Sequence, residues 1–183
     1  MTVYLDEDDV GHDSHSIAYP HLLLCMGVTV IMGDGSIAGA HISTGDTEKK
    51  TLSKLAELMT LIPATTRQML LTGNFEIHFG MEDICSPAEK AGEIGYKGKI
   101  LCFDTSAFKP KDGAFVRVIT NGQVNNPTIE FKRNEKVTYA TTASSPMGHF
   151  SPNRGIGFRV GHALKGSSSI NVASPEDLNV IEV

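Results

Sequence analysis

Residues 21–46 read HLLLCMGVTVIMGDGSIAGAHISTGD. Two apolar arms, LLLCMGVTVIM and SIAGAHIS, flank Gly33-Asp34-Gly35, and because glycine tolerates positive φ this reads as a hairpin turn. Cys25 stands near the start of the first arm and His41 near the end of the second. Loop length decides whether they meet. With a three-residue loop, Met32 faces Ser36 and Gly27 faces His41. Cys25, two residues beyond Gly27, then shares the His41 face as its diagonal neighbour, with Cα atoms about 7–8 Å apart. With a two-residue loop, His41 faces Met26 or Val28 and Cys25 points to the opposite face, so contact would need a bulge.

On either side of the hairpin the pattern changes. The first fifteen residues are polar and include the run Asp6-Glu7-Asp8-Asp9, which predicts a flexible acidic arm over residues 1–15. After the hairpin, Leu52, Leu55, Leu58 and Met59 recur at helical spacing, with Asp46 able to cap the first turn. Pro63 ends that helix or opens a second one, PATTRQMLL, which Gly73 closes. NFEIHFG alternates Phe75, Ile77 and Phe79 with Glu76 and His78, the pattern of a half-buried strand. Ser86-Pro87-Ala88-Glu89 is a capping box. From Lys99 onward, KILCF, AFVRVIT, TIEFKR, KVTYATT, IGFRVGHAL and INVAS read as strands between turns. The expected class is α+β: one domain over residues 16–183, an antiparallel or mixed, sandwich-like β-sheet, and helices packed on one side.

The chain has 183 residues and a net charge of −5, which gives no electrostatic reason to expect nucleic acid and disfavours an anionic membrane surface. No apolar run approaches the ~20 residues of a membrane helix. The start, MTVYLDEDDVGHDSH, has no basic n-region or apolar h-region, so a cytoplasmic protein as synthesised is expected, with non-Sec export into a target cell left open. Cys25, Cys85 and Cys102 form no complete disulfide framework, so at least one thiol needs a burial or a task.

A thiolate beside a histidine is a nucleophile with its base, and the same imidazole can later protonate a leaving amine. Against this stands the plain alternative that Cys25 is a small core residue, since cysteine is among the most buried residue types. The order of features around the pair resembles the chemoreceptor glutamine deamidases and, more distantly, the catalytic domains of the cytotoxic necrotizing factor toxins. Cys25, GVTVIM, GDG, IAGAHI with His41, the helix EKKTLSKLAELM and the strand NFEIHFG follow one another as in that family, and GAHI is the closest local echo. The resemblance spans residues 15–82. Leu24 stands where the family has glycine or serine, and Tyr19 where the chemoreceptor deamidases have an assisting threonine.

The resemblance implies a cysteine-dependent protein-glutamine deamidase of the kind found in bacterial effectors and toxins. Cys25 would attack a glutamine carboxamide of a protein substrate, His41 would activate the thiol and protonate departing ammonia, and water would hydrolyse the thioester. An oxyanion hole is required, for which backbone N–H groups near Cys25 and Met26 are available. Thr44 or a backbone carbonyl would orient the histidine. The rival reading is a non-catalytic α+β binding module, of immunity or adaptor type, with Cys25 in the core.

The remaining candidates point elsewhere less directly. His12, His15, His21 and Cys25 run as H-x2-H-x5-H-x3-C, which matches no standard zinc spacing. Cys102 sits mid-strand and reads as core, while Cys85 beside a helix start ranks second as a nucleophile. His149 and His162 read as loop and strand-end residues, and Glu82-Asp83 as solvated charges. No phosphate loop is present, so neither cofactor nor metal is expected, and the oligomeric state is not readable.

Overall fold

Two β-sheets carry the fold. The structure, a computed structural model, describes residues 2–5, 7, 9–43, 68–80, 92, 96–108, 113–133, 140–142, 158–161 and 171–182. In chain order the strands are β1 Thr2–Tyr4, β2 Val10–Asp13, β3 Ser16–Leu22, β4 Met26–Ile31, β5 Ile37–Ile42 and β6 Gln68–Gly73. After the helix α1, Phe75–Gly80, come β7 Lys99–Asp104, β8 Ala114–Ile119, β9 Thr128–Lys132, β10 Ala140–Thr142, β11 Phe158–Gly161, β12 Asn171–Val172 and β13 Leu178–Glu182.

One sheet has the order β10-β11-β1-β3-β8-β9-β12 and the other β13-β7-β6-β4-β5-β2. Both are mixed: β1 runs parallel to β3, and β6 parallel to β7, amid otherwise antiparallel pairs. This corrects the α+β expectation. Helical structure among the described residues amounts to the six-residue α1, residue 92 and two single 3-10 turns, with no layer of packed helices. The helix expected between Asp46 and Ile62, and the SPAE box, lie outside the described residues.

The hairpin takes its three-residue form. Met32 N–H donates to the Ser36 carbonyl and Gly35 N–H to the Met32 carbonyl, both at 2.9 Å, with Gly35 at φ +82°. Gly27 therefore faces His41, and the ladder runs without a bulge from Met26↔Ile42 to Ile31↔Ile37. Asp34 fixes the turn by accepting the Ser36 N–H at 2.9 Å.

Every residue of β4 and β5 is buried, because their sheet is covered on both faces. One face joins the inter-sheet core with Leu5, Ile17, Tyr19, Ile37, Leu70 and Phe103. The other carries Met26, Val28, Val30, Ala40, Leu71 and Cys102, against which Tyr96 and Phe75 pack. Removing such side chains from water is the main stabilising term, about 1.5–3 kcal/mol for each fully buried large aliphatic.

Two segments exchange the expected types. PATTRQMLL does not close as a helix: its last four residues lie in β6, held between β4 and β7. A strand buried on both faces shows a continuous apolar run, which periodicity cannot separate from a buried helix. NFEIHFG is not a strand but α1. Asn74 Oδ1 accepts the Ile77 N–H at 3.3 Å and Asp104 Oδ1 the Phe75 N–H at 3.2 Å, so two carboxamide and carboxylate oxygens serve the first-turn donors.

The N-terminal segment also departs from expectation. Instead of a flexible arm, it supplies β1 to one sheet and β2 to the other, with Val3, Tyr4, Leu5 and Val10 buried. The chain thus crosses from sheet to sheet twice before residue 16. No helix among the described residues is long and apolar enough to cross a membrane.

Candidate functional site

Cys25 immediately precedes β4, is partly exposed, and packs against the inter-sheet cluster. His41 lies on β5 opposite Gly27, with 1% of its surface exposed. Its ring meets Tyr19 edge-on, with centroids 6.0 Å apart, so it faces the same inter-sheet space. The ladder makes Cys25 and His41 diagonal neighbours on one face.

The N-terminal segment holds the histidine in two places. His41 Nδ1 donates to the Leu5 carbonyl at 2.9 Å, and the His41 backbone N–H donates to the Asp9 carbonyl at 2.9 Å. A carbonyl can only accept, so Nδ1 carries the hydrogen and the lone pair resides on Nε2 in the neutral ring. The orienting group is therefore a backbone carbonyl. Thr44, the other candidate, lies outside the described residues.

The turn before Cys25 is fixed by its neighbours. His21 takes φ +59°, Leu23 N–H donates to the His21 carbonyl at 2.8 Å, and Asn74 Nδ2 reaches the Leu23 carbonyl at 3.5 Å. Gly73 lets the Cys25 main chain approach β6: a Cβ there would stand 2.6 Å from the Cys25 carbonyl oxygen and 3.0 Å from Met26 Cα. Leu23 and Leu24, the two residues before Cys25 in the chain, are left 40% and 45% exposed.

Tyr19 packs on Gly27 and Gly39. A Cβ on Gly27 would lie 2.7 Å from the Tyr19 ring. The Tyr19 hydroxyl meets Thr29 Oγ1 at 2.6 Å and the Val28 carbonyl at 3.0 Å. Burial pushes its ionisation well above the usual tyrosine range, more than the Thr29 contact lowers it. The phenol therefore stays neutral and acts as a packing and hydrogen-bonding group. On the far side of Gly27 from His41 stands Thr72 of β6, wholly buried.

The other sequence candidates separate from this site. Cys102 is buried on the opposite face of its sheet, and burial, aided by the Asp104 charge, pushes its thiol up to about 11. It is a core residue in a state unsuited to nucleophilic attack. Cys85, Glu82, Asp83, His149 and His162 lie outside the described residues. His12 is on β2, His15 at the turn after it and His21 on β3; among the described residues no group of three or more His, Cys, Asp or Glu side chains could hold a metal.

The residues that sequence reading missed are the Leu5 and Asp9 carbonyls and Thr72. Val3-Tyr4-Leu5, an apolar triplet ahead of the acidic run, was the available signal for the first. A threonine directly after the apolar run Met69-Leu70-Leu71 was the signal for Thr72. No protein-family model matches the chain, and no curated protein matches it.

Proposed function

We propose that the chain is a cysteine-dependent protein-glutamine deamidase that uses Cys25 as nucleophile and His41 as base, in the manner of the chemoreceptor deamidases it resembles. The observation that carries this reading is one geometry. A partly exposed cysteine stands diagonal, across a glycine, from a histidine whose Nδ1 is tied to a backbone carbonyl. His41 Nε2 takes the Cys25 proton, and the thiolate attacks the carboxamide carbon of a substrate glutamine. The imidazolium then protonates the departing ammonia, and water, deprotonated by Nε2, hydrolyses the thioester to glutamate.

The exposed Leu23-Leu24 pair directly before Cys25 in the chain favours a protein substrate over a small polar amide, because it offers apolar surface on the turn that carries the nucleophile. A thiol nucleophile works in a reducing compartment, whether the cytoplasm of the producing cell or that of a target cell.

The rival, a non-catalytic binding module, has the burial of His41 on its side. Incubation with a glutamine-rich protein mixture discriminates between them. The readouts are ammonia release and site-resolved mass spectrometry of glutamine-to-glutamate conversion, with Cys25→Ser and His41→Ala as controls. Conversion lost in both variants supports deamidation. Thiol reactivity without any conversion removes the glutamine reading and leaves a hydrolase of another amide, and an inert Cys25 leaves the binding module.

A further inference from the structure

Thr72 and His41 flank Gly27 from opposite sides, one on β6 and the other on β5. The Thr72 hydroxyl leans over the space that glycine leaves, with Oγ1 2.8 Å from where a Gly27 Cβ would be. Thr72 is 0% exposed, and its Oγ1 has no hydrogen-bond partner among the described residues. A buried hydroxyl without a partner is destabilising, and native folds keep few of them. The fully buried side chains that precede it on β6, Met69, Leu70 and Leu71, are all apolar. Cys25, two residues beyond Gly27 and packed on the same inter-sheet cluster, is diagonal to Thr72 as well as to His41.

We infer that the Thr72 hydroxyl donates a hydrogen bond to the Cys25 thiolate, an acceptor that arises only when the thiol has lost its proton. The inference rests on the proposed Cys25–His41 pair. The Sγ proton passes to His41 Nε2, while the Thr72 hydroxyl keeps its own proton and turns it toward Sγ. A hydrogen bond to the charged form favours that form, so Thr72 is a positioning residue that holds the nucleophile ionised and aimed. It does so as a neutral group. The titratable residues carried by the described elements next to Cys25 include His41 on β5, Tyr19 and His21 on β3, Glu76 and His78 on α1, and Asp104 at the end of β7.

The test is the pH profile of iodoacetamide labelling at Cys25, read by peptide mass spectrometry, for wild type, Thr72→Val, Thr72→Ser and His41→Ala. Thr72→Val is expected to raise the apparent thiol pKa by about one unit, which slows labelling at neutral pH about tenfold. Thr72→Ser keeps the hydroxyl and should keep the wild-type profile. Because valine removes an unpartnered buried hydroxyl, the Thr72→Val protein should melt no lower than wild type. An unchanged profile in Thr72→Val overturns the inference, as does a Thr72→Ser profile shifted as far as that of valine. If Thr72→Val is silent while His41→Ala shifts the profile, the inference falls and the pair stands. If His41→Ala is silent, the pair itself falls. Ammonia release is measured separately, so failure of the deamidase reading would not be mistaken for either.

Discussion

A Cβ on Gly39 would fall on the Tyr19 hydroxyl, and one on Gly27 would stand 2.7 Å from the Tyr19 ring. One buried tyrosine therefore dictates glycine at two positions on neighbouring strands, neither of which needs a positive φ. Overpacking a close-packed core costs about 1–3 kcal/mol, so Gly39→Ala should destabilise by that amount. In a Tyr19→Phe background, where the hydroxyl is gone, the same substitution should cost less than half as much. Urea midpoints of the four proteins in the double-mutant cycle check this, and equal costs in both backgrounds would mean that another contact excludes the side chain. Both glycines were visible in GVTVIM and IAGAHI, but what they make room for was not, because Tyr19 approaches from the other sheet.

At the scale of elements, legibility followed how local the determining chemistry is. The β4–β5 hairpin could be read from its glycine turn, but its register could not, because two- and three-residue loops fit the same sequence. Only the three-residue form found in the structure puts Cys25 and His41 on one face. Within the described residues, β7 to β12 were legible because each expected strand is bounded by its own turn residues, whereas β13 went unread and is held by its antiparallel pairing with β7. The helix expected over residues 63–71 and the strand expected over 74–80 came out reversed where the structure describes them, as β6 and α1. β6 owes its conformation to β4 and β7 on either side, and α1 owes its first turn partly to Asp104, a residue 29 positions from Phe75.

Polarity similarly misled the reading of the N-terminus. The acidic run hid a strand whose next residue, Leu5, orients the histidine. Deleting residues 1–5 removes β1 from between β3 and β11 and takes away the acceptor of His41 Nδ1. The deletion should abolish any reactivity advantage of Cys25 and lower the melting temperature. Removal of a flexible arm would change neither, and thermal melting with thiol labelling distinguishes the two.

At the scale of the whole molecule, the division of strands between two sheets was out of reach of any sequence window. β1, β2 and β3 are consecutive, yet the middle one belongs to the opposite sheet. The same arrangement gives the fold a definite acid response. His12, half-buried on β2 at a sheet edge, has its pKa lowered by desolvation, against the opposing pull of Asp13 and Asp34. The unfolded chain takes up this proton near 6.5, while the folded chain resists until lower pH. Its contribution is therefore complete above 6.5 and is lost as pH falls through the folded value. Asp34, held below the usual carboxylate range by the Ser36 hydroxyl and backbone N–H, adds a small term of the same sign at more acid pH. Urea midpoints should fall as pH is lowered from about 8 to about 5, and His12→Gln should flatten that slope. A midpoint that rises on acidification would contradict the sign.

The reactivity of Cys25 depends on the two sheets and the N-terminal segment together. The direct measurement is the pH dependence of iodoacetamide labelling at each cysteine in the folded wild type and in His41→Ala. Cys25 is expected to label faster than Cys102, with an apparent pKa below the ~8.5 of an unperturbed thiol, and His41→Ala is expected to remove the advantage. A Cys25 that resists labelling until the protein unfolds, or that labels identically without His41, would contradict the Cys25–His41 pairing.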